Sequence, residues 1–200
     1  MTRSPIRGNP LYRKLLLTLV VIGILGGVAT IGSNAIFTST ATNNANTFST
    51  GTIVISTSPS SAFITFSTMV PGDVVTQALT VSNTGTASLR YAVTSATTEN
   101  TLAAQLDLTI KSGVTTCTTA GFGASGTVIY GAGDLGSTTG VNVIGDPTQG
   151  SQSGDRTLAA SASEALCFQV SLPLASGNTY QGLTSTATFT FAAEQTANNP

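Results

Sequence analysis

Residues 74–82 read VVTQALTVS, and this stretch decides the fold class. Its side chains alternate with a period of two, so Val75, Gln77, Leu79 and Val81 lie on one face of an extended segment. Val and Thr are β-branched and pack well on a pleated surface. The stretch therefore predicts a half-buried β-strand.

Segments of the same character recur on both sides of this stretch, separated by turn-forming runs such as residues 71–73 (PGD) and 83–85 (NTG). The Gly- and Asp-rich stretch 121–155 predicts long loops and short edge hairpins, and no sustained helical period follows residue 35. We therefore predict an all-β fold, an antiparallel two-sheet sandwich of about seven to nine strands. The predicted strands are residues 52–57, 62–68, 74–82, 89–97, 105–111, 127–130, 141–144, 165–172 and 184–193.

The composition agrees with packed β-structure: 40% of the 200 residues are hydrophobic and 8% are charged. Disordered chains have low hydrophobicity and high net charge instead. After residue 15 the only basic residues are Arg90, Lys111 and Arg156, against eight acidic residues, which gives a net charge of −5. Because a phosphate backbone is bound by clustered cations, we expect no nucleic-acid partner.

The N-terminal segment has the order of a secretory signal peptide. Its four basic residues are Arg3, Arg7, Arg13 and Lys14. A charge-free run follows at residues 15–31, and then Ser33 and Ala35 place small side chains at the −3 and −1 positions of a cleavage site. We predict cleavage after Ala35, so that the exported chain starts at Ile36.

An uncleaved membrane anchor is the alternative to cleavage. The apolar run is somewhat short of the roughly 20 residues that a spanning helix needs, and Gly26 and Gly27 weaken it as a helix. We favour cleavage, with membrane contact only through an uncleaved signal segment. The predicted organisation is a signal peptide at 1–35, an N-terminal arm at 36–50 and a β-sandwich domain at 51–200.

The two cysteines, Cys117 and Cys167, can form only one disulfide. Export permits oxidation, which favours the bond. The alternative is two buried free thiols, which behave as small hydrophobic side chains.

Residues with catalytic chemistry are scarce. The chain contains no His, which removes Ser-His-Asp and Cys-His catalysis and zinc sites built on His. Residues 121–126 match GxGxxG by letter, but a strand-like run rather than a helix follows them. Asp134, Asp146 and Asp155 could gather around Ca²⁺, although turn aspartates that bond their own backbone are the favoured interpretation. We expect no enzymatic activity and no cofactor.

Several short motifs occur in order along the chain. They are Thr47-Phe48-Ser49-Thr50-Gly51-Thr52, then Pro71-Gly72-Asp73, then Asn83-Thr84-Gly85, then Tyr180-Gln181-Gly182, and then Phe189, Phe191 and Gln195 in FTFAAEQ. In this order and spacing, the chain resembles the TasA/CalY (camelysin-type) family of secreted biofilm-matrix fibre proteins. Residues 112–160 match nothing in that pattern.

The resemblance implies a jelly-roll-like sandwich, export, and assembly into matrix or surface filaments. Some relatives are labelled metallopeptidases, and the absence of His makes that label a poor fit to this chain. The motif residues have structural interpretations: Gly72 and Gly85 hold turns, Phe189 and Phe191 join the core, and Tyr180 packs a corner.

The leading functional hypothesis is a filament subunit that polymerises with itself, head to tail, by strand addition. The N-terminal arm alternates suitably for a strand: its predicted assembly residues are Ile36, Phe37, Ser39 and Ala41. The alternative is a monomeric cell-surface adhesin or matrix-anchoring module that binds other matrix or cell-surface proteins. Both hypotheses place the protein outside the cell.

Overall fold

A computed structural model describes residues 10–31, 49–61, 64 and 68–199. Helix α1 spans Pro10–Ile31. From Ser49 onward the chain forms a compact unit of its own. The predicted cleavage residues Ser33, Ala35 and Ile36 and the rest of the predicted arm up to residue 48 lie outside the described residues, as does most of the predicted strand 62–68.

Within the described part of this unit, nine strands and three short helices follow one another. The strands are β1 (Ile55–Ser58), β2 (Val74–Asn83), β3 (Leu89–Thr97), β4 (Asp107–Ser112), β5 (Thr127–Asp134), β6 (Val141–Ile144), β7 (Arg156–Leu158), β8 (Ser163–Ser171) and β9 (Ala187–Gln195). The helices are α2 (Thr101–Gln105), α3 (Thr119–Ala124) and a 3-10 helix at Asn178–Tyr180.

The strands form two antiparallel sheets. Sheet A has the order β1-β2-β8-β4-β5. In sheet B, β3 pairs with β6 and β7 along one edge and with β9 along the other. The prediction of an all-β, antiparallel two-sheet sandwich is therefore confirmed.

The core lies between the sheets because each strand turns its apolar face inward. Leu79 and Val81 of β2 and Phe168 of β8 are buried, and they belong to the same cluster as Leu89 and Val93 of β3. The alternation in residues 74–82 thus marks the buried face of β2 correctly from Leu79 onward.

The loops and the entering chain segment define two ends of the sandwich. The Gly72 end is formed by loops 68–73, 98–106 and 172–186. The Asn83 end is formed by residues 49–54 and by loops 83–88 and 159–162.

The sequence shows no sustained helical period after residue 35, and the three helices in the described part of the sandwich are short. One of them replaces the start of a predicted strand. Residues 105–111 were expected to be one strand, but Gln105 ends α2 and β4 begins at Asp107. Glu99 explains the helix, because its carboxylate accepts hydrogen bonds from the backbone N–H groups of Leu102 (2.8 Å) and Ala103 (3.0 Å) at the first turn.

Two further details also differ from the expectation. The Gly-rich run at 121–126 was expected to be a loop, but most of it belongs to α3, whose N-cap Thr118 accepts a hydrogen bond from Gly121 N at 3.2 Å. Strand β7 was not predicted, because three residues are too few to show a period of two.

Candidate functional site

The motif at residues 71–73 forms the turn before β2 at the Gly72 end. Gly72 has φ +96°, a left-handed conformation that favours glycine, as predicted. The Asp73 carboxylate accepts a hydrogen bond from Val70 N at 2.8 Å. Gly72 N also donates to Leu172 O at 2.8 Å, so the turn is tied to the residue that follows β8.

The motif at residues 180–182 lies in the connection from sheet A to sheet B at the same end. Tyr180 closes the 3-10 helix and is half-buried. Gln181 N donates to Asn178 O at 3.1 Å, and Gly182 has φ +75°. Two motifs separated by about a hundred residues in sequence therefore shape one end of the sandwich.

Asn83 organises the opposite end. Its side chain is 1% exposed, and its amide nitrogen donates to three carbonyl oxygens: Ala87 (2.8 Å), Leu158 (3.3 Å) and Ala159 (3.0 Å). Its Oδ1 accepts from Gly85 N at 2.9 Å. One buried amide thus joins three loop and strand segments, which gives this motif residue a structural role.

Gly85 lies in the turn between β2 and β3, where it is needed for close approach rather than for a left-handed conformation. A Cβ on Gly85 would meet Thr52 O, and would lie 2.8 Å from Val54 N and 2.9 Å from Ile53 Cα. Residues 52–54 run directly over it, with Thr84 N donating to Val54 O at 2.8 Å. The chain enters the sandwich through this contact.

The two motif phenylalanines of β9 join the core, as expected. Phe189 packs edge-on against Phe168 with ring centroids 5.3 Å apart, and Phe191 packs against Tyr91 at 6.2 Å. Gln195, the last motif residue, is exposed.

A buried ion pair beside Gln195 was missed from the sequence. Arg90, with 9% of its side chain exposed, contacts Glu194 at 2.5 Å and also donates to Asn199 O. Glu194 accepts a further bond from Gly150 N at 3.1 Å. Partial burial acts to raise the pKa of Glu194, but the bonds from Asn199, Arg90 and Gly150 together lower it. A lone arginine inside the apolar run LRYAV was the available signal.

A second charged cluster links the sheets. Tyr91 Oη donates to the Glu164 carboxylate at 2.6 Å, and Arg156 bonds the same carboxylate at 2.6 and 2.9 Å. Burial raises the pKa of Tyr91 far above its ordinary value, and the bond to Glu164 adds to this effect. The third basic residue, Lys111, donates to Phe122 O at 2.7 Å and lies over the Phe122 ring.

The predicted Cys117–Cys167 disulfide is present, with 5.6 Å between the Cα atoms. It fastens α3 and its flanking loops to the outer face of sheet A, where Cys167 is 2% exposed. Phe122 on α3 is also buried, and Thr119 contacts Thr76 of β2 at 3.2 Å.

Two of the three aspartates considered for Ca²⁺ accept hydrogen bonds from backbone N–H groups. Asp155 accepts from Asp146 N at 3.0 Å and from Gln152 N at 2.8 Å, and Asp146 accepts from Thr148 N at 2.9 Å. Asp134 lies elsewhere, opposite Asp107 at the end of β5. The cleft between loop 146–155 and sheet B encloses about 140 Å³, below the roughly 300–1,000 Å³ typical of ligand pockets.

The outer edges of the two sheets differ. β9 pairs with β3 over nine consecutive residue pairs without a register shift, and no described strand pairs with its other edge. β5, one of the two edge strands of sheet A, contains two register shifts against β4 and a positive φ at Ala132. Bulges of this kind protect an edge from pairing, and β9 lacks them.

In the ranges 10–31, 49–61, 64 and 68–199, no helix has both the length and the hydrophobicity needed to cross a membrane.

By fold, the unit from Ser49 onward is a disulfide-bonded antiparallel β-sandwich. The short sequence motifs described above shape its two ends. A family model described as camelysin metallo-endopeptidase matches residues 11–113, just over half of the chain. The chain belongs to this family, as the resemblance to camelysin-type proteins indicated. No curated protein sequence matches the chain.

The residues of this chain do not fit the metal that the family description implies. A catalytic zinc site takes three protein ligands from His, Cys, Asp and Glu. The chain has no His, and nowhere in its described part do three Cys, Asp or Glu side chains come together in a way that could hold a metal ion.

Proposed function

We propose that this protein is exported, is cleaved after Ala35, and serves as a structural subunit of extracellular biofilm-matrix filaments rather than as an enzyme. Membership of the camelysin family supports the proposal at the level of the family. The observation that carries it is the regular outer edge of β9, which offers a template for an added strand.

The direction of the backbone groups along β9 can be worked out from its two ends. Thr98 N donates to Thr186 O before β9, and Thr196 N donates to Ser88 O after it. Because the register between these bonds is unbroken, even-numbered residues of β9 face β3 and odd-numbered residues face away. Ala193 therefore directs its N–H toward the outer edge.

The proposed donor is the arm at residues 36–42, which reads IFTSTAT. The arm precedes Ser49, and the sandwich begins at the Asn83 end. A donated arm would make backbone hydrogen bonds along an edge of the next copy, and Ile36, Phe37, Ser39 and Ala41 would alternate between its two faces. Repetition of this heterologous contact gives an open filament.

The first experiment compares the chain that starts at Ile36 with the same chain lacking residues 36–42, by negative-stain electron microscopy. We expect filaments from the longer chain and a folded monomer from the shorter one. Filaments from both chains would refute strand addition by the arm.

The second experiment places a proline on the acceptor edge. Ala193→Pro removes the outward N–H and leaves the even-numbered hydrogen bonds to β3 in place. We expect shorter or absent filaments, whereas the matched control Ala193→Ser keeps the N–H and should polymerise normally. Equal polymerisation of both variants would exclude the β9 edge as the acceptor.

Monodisperse particles from every variant would favour the alternative function, a cell-surface adhesin or an anchor for other matrix proteins. Proteolysis by the purified protein that a chelator blocks would contradict the non-enzymatic proposal.

A further inference from the structure

The exposed apolar side chains of the sandwich gather at its two ends. At the Gly72 end, Leu174 is 81% exposed. Three more exposed apolar residues belong to this end: Val70, Val74 and Leu183. At the Asn83 end, Ile53 and Val54 are 40% and 46% exposed.

These residues form two separate groups on opposite ends. Val70 and Leu174 flank the turn at Gly72, because a Cβ on Gly72 would lie 3.4 Å from Leu174 Cδ1. Ile53 and Val54 lie over Gly85 instead. We call the pair Val70 and Leu174 the upper patch and the pair Ile53 and Val54 the lower patch. In the described part of the sandwich, the other exposed large apolar side chains are Val74, Leu183 and Val128, the last of these on the lateral edge β5.

The charge distribution disfavours ionic contacts between copies of the sandwich. Arg90 and Arg156 are paired with Glu194 and Glu164, and Lys111 is held at Phe122. The chain after residue 15 nevertheless carries a net charge of −5. Copies therefore repel each other at long range and have no unengaged cation after residue 15 with which to form ionic contacts.

We infer that the upper patch of one copy binds the lower patch of a second copy of this chain, with Leu174 as the central contact. This inference rests on the proposed filament function and deepens it. The chain enters the sandwich at residues 49–54, beside the lower patch, and the arm precedes these residues. A second copy that binds this arm therefore approaches the first copy from its Asn83 end. β9 begins at the Gly72 end, so an arm that crosses the upper patch reaches the proposed acceptor edge.

The test uses two variants of the chain that starts at Ile36. Each variant disables one of the two patches. Leu174→Asp removes the upper patch and Val54→Asp the lower one. Each variant alone should stay monomeric in sedimentation velocity, with a dissociation constant at least tenfold above that of the unmodified chain. An equimolar mixture should form dimers and nothing longer, because each variant keeps one intact end.

Val128→Asp is the matched control, since it places the same charge on an exposed apolar residue outside both patches. It should associate like the unmodified chain. Thermal unfolding of all three variants establishes that they are folded. Association of the unmodified chain should also strengthen between 10 and 200 mM salt, as the Debye length falls from about 30 Å to about 7 Å.

The outcomes separate this inference from the proposed function. If Leu174→Asp and Val54→Asp form filaments like the control while deletion of residues 36–42 abolishes them, the patch contact is wrong and the filament function stands. If the unmodified chain stays monomeric at every concentration and salt level, both are wrong. If the equimolar mixture forms dimers while each variant alone stays monomeric, the patch contact is established.

Discussion

Replacing Asn83 by alanine should destabilise the sandwich more than any exposed asparagine substitution. The buried side chain serves four backbone partners at the Asn83 end. In the variant, Gly85 N–H loses its acceptor and the carbonyl of Ala87 loses a close donor. Ala159 O keeps a second bond, from Ala162 N at 3.1 Å, so its loss is smaller.

The expected loss follows from these unsatisfied groups. Leaving one buried polar group without a partner costs about 1–3 kcal/mol. With Gly85 N–H fully affected and the carbonyls partly affected, we expect the free energy of unfolding to fall by about 2–4 kcal/mol. For a domain of this size, that corresponds to a fall in Tm of roughly 4–16 °C.

Urea unfolding measured by circular dichroism, with the disulfide intact, tests this estimate. The midpoint should fall while the slope m stays constant. Asn142→Ala is the matched control, because Asn142 also lies in a strand but is exposed and accepts a single bond, from Thr94 Oγ1 at 3.2 Å. Its cost should stay below about 0.5 kcal/mol. If both variants lose the same stability, the hydrogen-bond argument for Asn83 is refuted.

Asn83→Asp extends the same test to pH. A carboxylate at this position would face three carbonyl oxygens, so its folded-state pKa would lie above the unfolded value of about 3.9. A raised pKa means that the variant is most stable below about pH 3.9 and loses stability as the pH rises through the folded-state pKa. Its deficit relative to the unmodified chain should therefore be larger at pH 7 than at pH 4, which the same urea titration measures.

Two further predictions concern the glycine and cysteine positions. Gly85→Ala should displace residues 52–54 and lower Tm, whereas Gly123→Ala, where a Cβ meets nothing within 4 Å, should leave Tm unchanged or slightly higher; equal effects would refute the close-approach argument. Replacing both Cys117 and Cys167 by alanine should reduce the free energy of unfolding by up to about 4 kcal/mol, because the bond closes a loop across 50 residues; denaturant unfolding that matches the unmodified chain would refute this.

Local patterns in the sequence were sufficient where the structure depends on local properties. The alternation in residues 74–82 and 89–97 predicted β2 and β3 closely, since burial of one face imposes a period of two. The left-handed conformation of Gly72 follows from a turn motif of three residues. These features need no information about distant parts of the chain.

Contacts between distant residues account for what the sequence did not reveal. Arg90 and Glu194 are 104 positions apart, and no local pattern indicates that β3 and β9 align them. The close approach at Gly85 depends on a segment more than 30 residues earlier in the chain. α2 was missed because it has only five residues, which lie almost entirely between two predicted strands, and because a single carboxylate, Glu99, satisfies its first turn.

The order of strands in sheet A determines how the family match relates to the fold. The match at residues 11–113 contains β1 to β4, but β2 and β4 are not neighbours. β8, which lies beyond the match, fits between them and pairs with both over their lengths. β3 likewise depends on β9 for its longest pairing. The matched half therefore cannot bury its own apolar faces, and the unmatched half completes both sheets. The strands inside and outside the family match thus belong to one compact unit. The motifs at residues 71–73 and 180–182 both lie at its Gly72 end, although the family match contains only the first of them.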